Sequence, residues 1–203
     1  MNLIIDIGNT NGKIAVFKHD KIVKVDTVKT SNIIEGINKF TQKYKAINRA
    51  IVSNVSINDN HEIKEHLSLQ SIYFLSENLK LPFKNLYKSK ERLGSDRIAN
   101  AIGAYNLYKA NCLIVDFGTA TTFDIIKKPG IYIGGVIAPG IKLSILNLSK
   151  STAALPSFKL RANSKIFGKN TKDALNAGFL WGYQGLITNI IKKISSKFKK
   201  KFK

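Results

Sequence analysis

The sequence predicts an α/β protein built as two similar lobes, and three observations carry that prediction. An apolar run ending in Asp-x-Gly, a cluster of small polar residues and a second apolar run open the chain in "LIIDIGNTNGKIAVF". The same order returns in "LIVDFGTATTFDII", with Asp116 placed 110 positions after Asp6. Each copy is followed by a third extended segment and then by helical patterns, the order from which layered α/β lobes are made. A pattern repeated at this interval is an architectural duplication.

In the first lobe, strands are expected at 2–7 and 12–18, joined by the Gly-Asn-Thr-Asn-Gly turn, and at about 21–27 after the "KHDK" turn. "SNIIEGINKFTQKY" reads as a helix capped by Ser31, with Ile33, Ile34, Ile37 and Phe40 on one face. "AIVSNV" reads as a buried strand, "DNHEIKEHLSL" as a short helix and "SIYFLS" as another strand. Residues 81–92, which include Pro82, are expected to be irregular, and "LGSDRIANAIGAYNLY" to be a helix with Asp96 in its first turn. The pattern then restarts. "NCLIVDFGTATTFDIIKK" gives strand, turn and strand, and "GIYIGGVIAPG" a third strand. "GIKLSILNLSK" and "TKDALNAGFLWGYQGLITNIIKKI" give helices. The expected boundaries are a first lobe over 1–92, a second over 93–191 and a Lys-rich tail over 192–203.

With 203 residues, 44% of them hydrophobic, the chain has enough apolar material for a real core. No stretch approaches the roughly 18 apolar residues of a membrane helix. Asp6 interrupts the first apolar run too early for a secretory signal. The single cysteine, Cys112 in "NCLIV", excludes an intramolecular disulfide and reads as a buried small residue. A cytoplasmic setting without membrane association is the expectation. Of the net charge of +20, seven units lie in the twelve-residue end "KKISSKFKKKFK", which holds seven lysines and no acid. No RNA-binding signature, zinc-ligand spacing or basic ladder interleaved with aromatics accompanies the charge. The tail is therefore expected to be solvated, and nucleic acid is not the expected partner. His19, His61 and His66 fall outside every motif and are expected at the surface.

The repeated punctuation has a chemical reading. A carboxylate at the end of a buried strand is costly unless it is paired, hydrated or near a cation. The glycine after it removes a Cβ and lets backbone N–H groups approach an anion. Asn9, Thr10, Thr119, Thr121 and Thr122 add neutral donors, and Lys13 adds a positive charge. One such hairpin is as readily a plain tight turn. Two, each opening a lobe, suit a polyphosphate gripped from both sides, with the aspartates serving cations that offset its charge.

The order and spacing of several blocks are more specific. "DIGNT", "LGSDRIANAIGAY", "VDFGTATTFD", "GGVIAPG", "TAALP" and "TKDALNAGFLWGYQGLI" together resemble the type III pantothenate kinase family of the actin-like, sugar-kinase-like ATPases. The resemblance implies a duplicated actin-like (ribonuclease H-like) fold, two lobes with a nucleotide cleft between them. It implies ATP-dependent phosphorylation of pantothenate, the first step toward coenzyme A, and a homodimer. Its ATP loop falls on Asp6, Ile7, Gly8, Asn9, Thr10, Asn11, Gly12 and Lys13, with Asp6 serving the Mg²⁺–phosphate assembly. Its G-x-D-R motif falls on Gly94, Ser95, Asp96 and Arg97, where the aspartate is the general base for the substrate's primary hydroxyl and its neighbours bind pantothenate. Asp116 matches a residue holding a monovalent cation, K⁺ or NH₄⁺. Thr119 matches an ATP contact, and Tyr87 and Thr171 match pantothenate contacts. A carboxylate within reach of an alcohol proton makes the alcohol a better nucleophile, so the chemistry agrees. Taken alone, "SDR" reads equally as a helix start with a surface ion pair.

The chain departs from the family pattern after "GYQGLI", where a further strand, a Thr-Gly-Gly-type turn and a closing helix are replaced by the lysine-rich end. An open strand edge or apolar helix face is therefore expected in the second lobe. The alternatives are a non-catalytic remnant that binds anions or nucleic acid, and a related sugar or small-alcohol kinase.

Overall fold

The computed structural model describes every residue except Glu77 and residues 199–201. Internal contacts group the chain into two units: Met1–Leu107 with Gly130–Tyr132, and Tyr108–Pro129 with Ile133–Lys203.

The first unit is organised by a mixed five-stranded sheet. Strands β1 (Asn2–Ile7), β2 (Asn11–Lys18) and β3 (Lys21–Lys29) form an antiparallel meander, and β4 (Arg49–Asn54) and β5 (Ser71–Phe74) add in parallel, giving the order β3-β2-β1-β4-β5. On β1, Leu3, Ile5 and Ile7 alternate into the core, as the two-residue period of a strand requires. They pack with Val52 of β4, with Ile33, Ile37 and Phe40 of helix α1 (Ile33–Lys43), and with Ile63 of α2 (Asn60–His66). The expected face of α1 thus holds, with Ile34 packed at its margin. Its expected cap does not. Ser31 lies in a 3-10 turn ahead of the helix and donates to Asn32 Oδ1 at 2.7 Å instead of accepting from a helical N–H. Asp59 caps α2, accepting from the His61 N–H at 2.9 Å.

The stretch expected to be irregular contributes a two-residue strand, β6 (Lys84–Asn85), before helix α3 (Ser95–Tyr108). Three long strands follow: β7 (Cys112–Phe117), β8 (Ala120–Lys127) and β9 (Ile131–Pro139). The second sheet has the order β6-β9-β8-β7. At the start of β9, Gly130 has φ +101, a conformation that favours glycine. Helices α4 (Ile141–Ser151) and α5 (Thr171–Phe198) complete the chain. Phe123 and Ile125 of β8 pack against Ile187, Ile190, Ile191 and Ile194, spaced along one face of α5.

The sequence reading placed a lobe boundary before α3; the contacts group α3 with the first unit. The reading of the tail requires correction. Lys192, Lys193 and Lys197 belong to α5, while Phe198 and Phe202 pack on the cluster around Phe123. Lys203 N–H donates to Asn111 O at 2.9 Å, and its carbonyl accepts from Leu113 N–H at 3.1 Å. The two phenylalanines supply the apolar burial that a run of lysines lacks, which is why this segment docks. The part of the tail call that falls on 199–201 lies outside the described residues. The duplication extends to this detail. Asn48 N–H donates to Met1 O beside β1 as Lys203 N–H does to Asn111 O beside β7, and Met1 and Asn111 are separated by the same interval as the two aspartates.

Among the described residues no helix is long and apolar enough to cross a membrane. Cys112 is buried, and that burial pushes its thiol up from its ordinary value, so thiolate is scarce at neutral pH. All three histidines are exposed.

The docked end yields a prediction. Replacing Phe198 by alanine removes a partly buried ring, costing about 1–2 kcal/mol. The thermal midpoint should fall by about 2–8 °C at this chain length. Lys197→Gln should leave the midpoint unchanged. Equal midpoints for Phe198→Ala and the parent would show that the end is solvated after all.

Candidate active site

The first hairpin loop is fastened from both flanks. Gly8 N–H donates to Asn11 O at 3.0 Å, closing the turn. From the segment after β3, Thr30 Oγ1 donates to Gly8 O at 2.7 Å, and Thr30 N–H donates to Thr10 O at 3.1 Å. Beyond β4, Val55 N–H donates to Ile7 O at 2.9 Å. These bonds fix the loop without a ligand, the condition for a preorganised anion site. Asn9, Thr10, Asn11 and Lys13 are exposed, whereas Ile7 and Gly12 are buried, so Ile7 can offer a ligand only its backbone. Asp6 is half-buried at the end of β1, with Lys13 of β2 and Ser53 of β4 as its register partners.

The G-x-D-R segment starts α3 in the same unit. Gly94 O accepts the first helical bond, from Ile98 N–H at 3.1 Å. Asp96 Oδ1 accepts from the Arg97 N–H at 2.7 Å, which holds the carboxylate at the positive end of the helix dipole. A Cβ at Gly94 would lie 2.5 Å from that oxygen, so the carboxylate occupies space that only glycine leaves open. Ser95 Oγ and Ser53 Oγ are 3.1 Å apart and both residues are buried. This hydroxyl pair ties the start of α3 to the strand beside Asp6. Sequence spacing gave no sign of the pair, because its members are 42 residues apart.

Arg97 departs from the exposed ion-pair alternative. It is 5% exposed, and its guanidinium carbon lies 5.5 Å from the centroid of the Tyr87 ring. A cation over an aromatic face is favourable, and more so away from water. The Tyr87 ring in turn meets the buried Tyr132 edge-on, with centroids 6.3 Å apart. The fold therefore brings Tyr87 beside Arg97 of the G-x-D-R segment.

In the second unit the matching hairpin is one residue shorter: Phe117 pairs with Thr121, whereas Ile7 pairs with Gly12. Gly118 N–H donates to Ala120 O at 3.0 Å, and Gly140 N–H donates to Thr119 O at 3.0 Å. A side chain at Gly140 would collide with the carbonyl oxygens of Gly118 and Thr119, so "APG" needs its glycine for this close approach. Asp116 is half-buried with Thr122 as its register partner, and Thr119 is exposed. Thr121 is buried and hydrogen-bonded to the Tyr183 hydroxyl of α5. Thr171, exposed at the first position of α5, borders a groove of about 500 Å³ formed with Leu148, Leu155, Leu175, Phe179 and Leu186. Near it, the Arg161 guanidinium and the Asn170 amide hold the Asp173 carboxyl below its ordinary value. Asp124, to which the sequence reading gave no role, is fully buried and accepts from the Thr122 hydroxyl at 3.4 Å.

Among the described residues no three His, Cys, Asp or Glu side chains converge to hold a metal. Single carboxylates such as Asp6 fit Mg²⁺, which takes one or two protein carboxylates and completes its shell with phosphate oxygens and water. A carboxylate such as that of Asp116 likewise suits a hard cation.

The profile of the type III pantothenate kinase family matches residues 2–193. The chain belongs to that family. A type III pantothenate kinase of Pelagibacter ubique is 37% identical over 217 residues, an alignment that covers all of this chain and 85% of the relative. That of Christiangramia forsetii is 34% identical, with 98% and 82% covered. A solved Campylobacter jejuni structure, described as a Baf family transcriptional activator, is 25% identical with a TM-score of 0.58, covering 93% of this chain and 78% of that one. The fold also resembles a Sinorhizobium meliloti protein described as a 2-dehydro-3-deoxygalactonokinase, at a TM-score of 0.51 and 9% identity, with 82% and 64% covered. The duplicated α/β architecture is thus actin-like. The activity is that of a transferase: ATP-dependent phosphorylation of pantothenate to 4'-phosphopantothenate, the first step of coenzyme A biosynthesis. ATP and pantothenate are its substrates, and a divalent metal accompanies the nucleotide.

The contact between Gly94 and Asp96 yields a prediction. Gly94→Ala should displace the carboxylate while leaving the bulk of the fold intact, and a misplacement of about 1 Å costs about 10²-fold in kcat. Steady-state turnover beside a circular-dichroism melt measures both effects. Unchanged turnover would show that this carboxylate position does not matter.

Proposed function

We propose that Asp96 is the general base of this pantothenate kinase and that phosphoryl transfer is direct. The observation that carries the reading is the Asp96 carboxylate, held by the Arg97 N–H above a glycine and tied through Ser95 and Ser53 to the strand beside the Asp6 loop. In the reaction the primary hydroxyl of pantothenate gives its proton to Asp96. Its oxygen then bonds to the γ-phosphorus, the bond to the β–γ bridging oxygen breaks, and ADP leaves. The N–H groups of the loop around Gly8, with Asn9, Thr10, Asn11 and Lys13, bind ATP phosphates, and Thr119 contacts the nucleotide from the second hairpin. Mg²⁺ at Asp6 supplies charge neutralisation to the phosphates. Tyr87, Gly94, Ser95 and Arg97 line the pantothenate pocket of the first unit, and Thr171 is a further pantothenate contact. The enzyme works in the cytoplasm.

Asp96→Asn tests the central role. The variant should melt and bind ATP like the parent while losing about 10²–10⁴-fold in turnover, the usual contribution of a general base. Turnover near that of the parent would remove Asp96 from this role.

Asp116 holds a monovalent cation, a role supported by its half-buried place near the end of β7, at the second hairpin loop. Turnover should rise with K⁺ or NH₄⁺ over Na⁺, and Asp116→Ala should flatten that response. Equal rates of the parent in all three salts would exclude the site.

The enzyme acts as a homodimer. The support is an apolar surface in the second unit: the groove along Leu175, Phe179 and Leu186, with Trp181 of the same helix 40% exposed. The size of the groove suits large apolar side chains from a second copy. Sedimentation at micromolar concentration should give a dimer, and a monomer there would refute the assignment.

A further inference from the structure

We infer that Asn85 is a positioning residue for the pantothenate pocket, acting through Tyr87. The inference rests on the reading above that Tyr87 contacts the substrate. Asn85 Oδ1 accepts from the Tyr87 N–H at 2.9 Å, a side-chain-to-backbone turn that sets the direction in which Tyr87 leaves the strand. The backbone on either side is clamped. Lys84 N–H donates to Gly130 O at 2.8 Å, and Leu86 N–H donates to Tyr132 O at 3.0 Å. Within this frame the Tyr87 ring meets the edge of Tyr132 on one side and the buried Arg97 guanidinium on another.

The other half of the Asn85 amide shows what the position is for. Its Nδ2 is buried and has no hydrogen-bond partner among the described residues. An amide nitrogen carries two donors, and leaving both dry is a net cost to folding. An apolar residue of similar size would avoid that cost but would leave the Tyr87 N–H without its acceptor, so the gain and the loss in stability offset. The acceptor oxygen is therefore the part in use, and the orphaned donor comes with it. Such a conflict between stability and local geometry is the mark of a residue kept for function.

The test pairs thermal stability with pantothenate binding in three proteins. Asn85→Ala removes the anchor together with the orphaned donor. Its melting midpoint should equal or exceed that of the parent, while KM for pantothenate rises about tenfold, the worth of one hydrogen bond. KM for ATP should stay unchanged. Asn85→Asp keeps an acceptor for the Tyr87 N–H and should restore most of the binding. An uncharged pantothenamide is assayed beside pantothenate, so that repulsion by the new carboxylate is not mistaken for loss of the anchor. A lowered midpoint in Asn85→Ala would assign the residue to the fold and overturn the inference. So would an unchanged KM for pantothenate, or failure of Asn85→Asp to restore binding of the uncharged analogue. If the parent itself showed no pantothenate-dependent use of ATP, the functional reading would fall first and this inference with it.

Discussion

Ending a buried strand in a carboxylate is expensive, and the fold is arranged around meeting that cost twice. At Asp6 the sheet register places a lysine on one neighbouring strand and a serine on the other, so the charge lies among polar groups instead of against the core that Ile5 and Ile7 enter. At Asp116 the corresponding neighbour is Thr122. In each hairpin the glycine after the aspartate lets the chain reverse at once, and the loop beyond it turns its small polar residues to the solvent side. Strand, carboxylate, glycine and exposed donors are therefore one device.

The serine beside Asp6 extends the device. Ser53 meets Ser95, and Ser95 is followed by the carboxylate that starts α3. One buried hydroxyl pair thus sets the height of a helix terminus against β4, the neighbour of the strand that ends beside Asp6. Helix α3 presents its N-terminal end here, where the dipole favours negative charge. The Arg97 side chain leaves from the same turn, but it is used differently. It is buried under the Tyr87 ring, and its charge is stabilised by the π face.

Much of the fold was legible because its signals are local. The apolar alternation of β1, the glycine turns and the change to helical period before α1 can be read within a window of a few residues. The candidate base was legible from its neighbours, since Gly94, Asp96 and Arg97 form one short block. The cap of α1 was misread, because Ser31 is spent on the adjacent Asn32 within a 3-10 turn, a local competition that propensity does not resolve. The lysine-rich end was misread for the opposite reason. Its charge pattern suggested a solvated tail, whereas Phe198 and Phe202 reach a long-range apolar cluster.

By itself the sequence determined the order of strands and helices, the duplication, and the places where the chain reverses beside a carboxylate. These follow from side-chain period and from the freedom of glycine, both properties of neighbours along the chain. Only the tertiary structure decided which distant groups meet: Ser53 with Ser95, Arg97 with Tyr87, and the backbone of Lys203 with the edge of β7. Those pairings depend on sheet register and on the packing of α3 and α5. A shift of one residue in a strand would turn all of its side chains to the opposite face, and nothing in the local pattern around a serine or an arginine records which partner the register will bring.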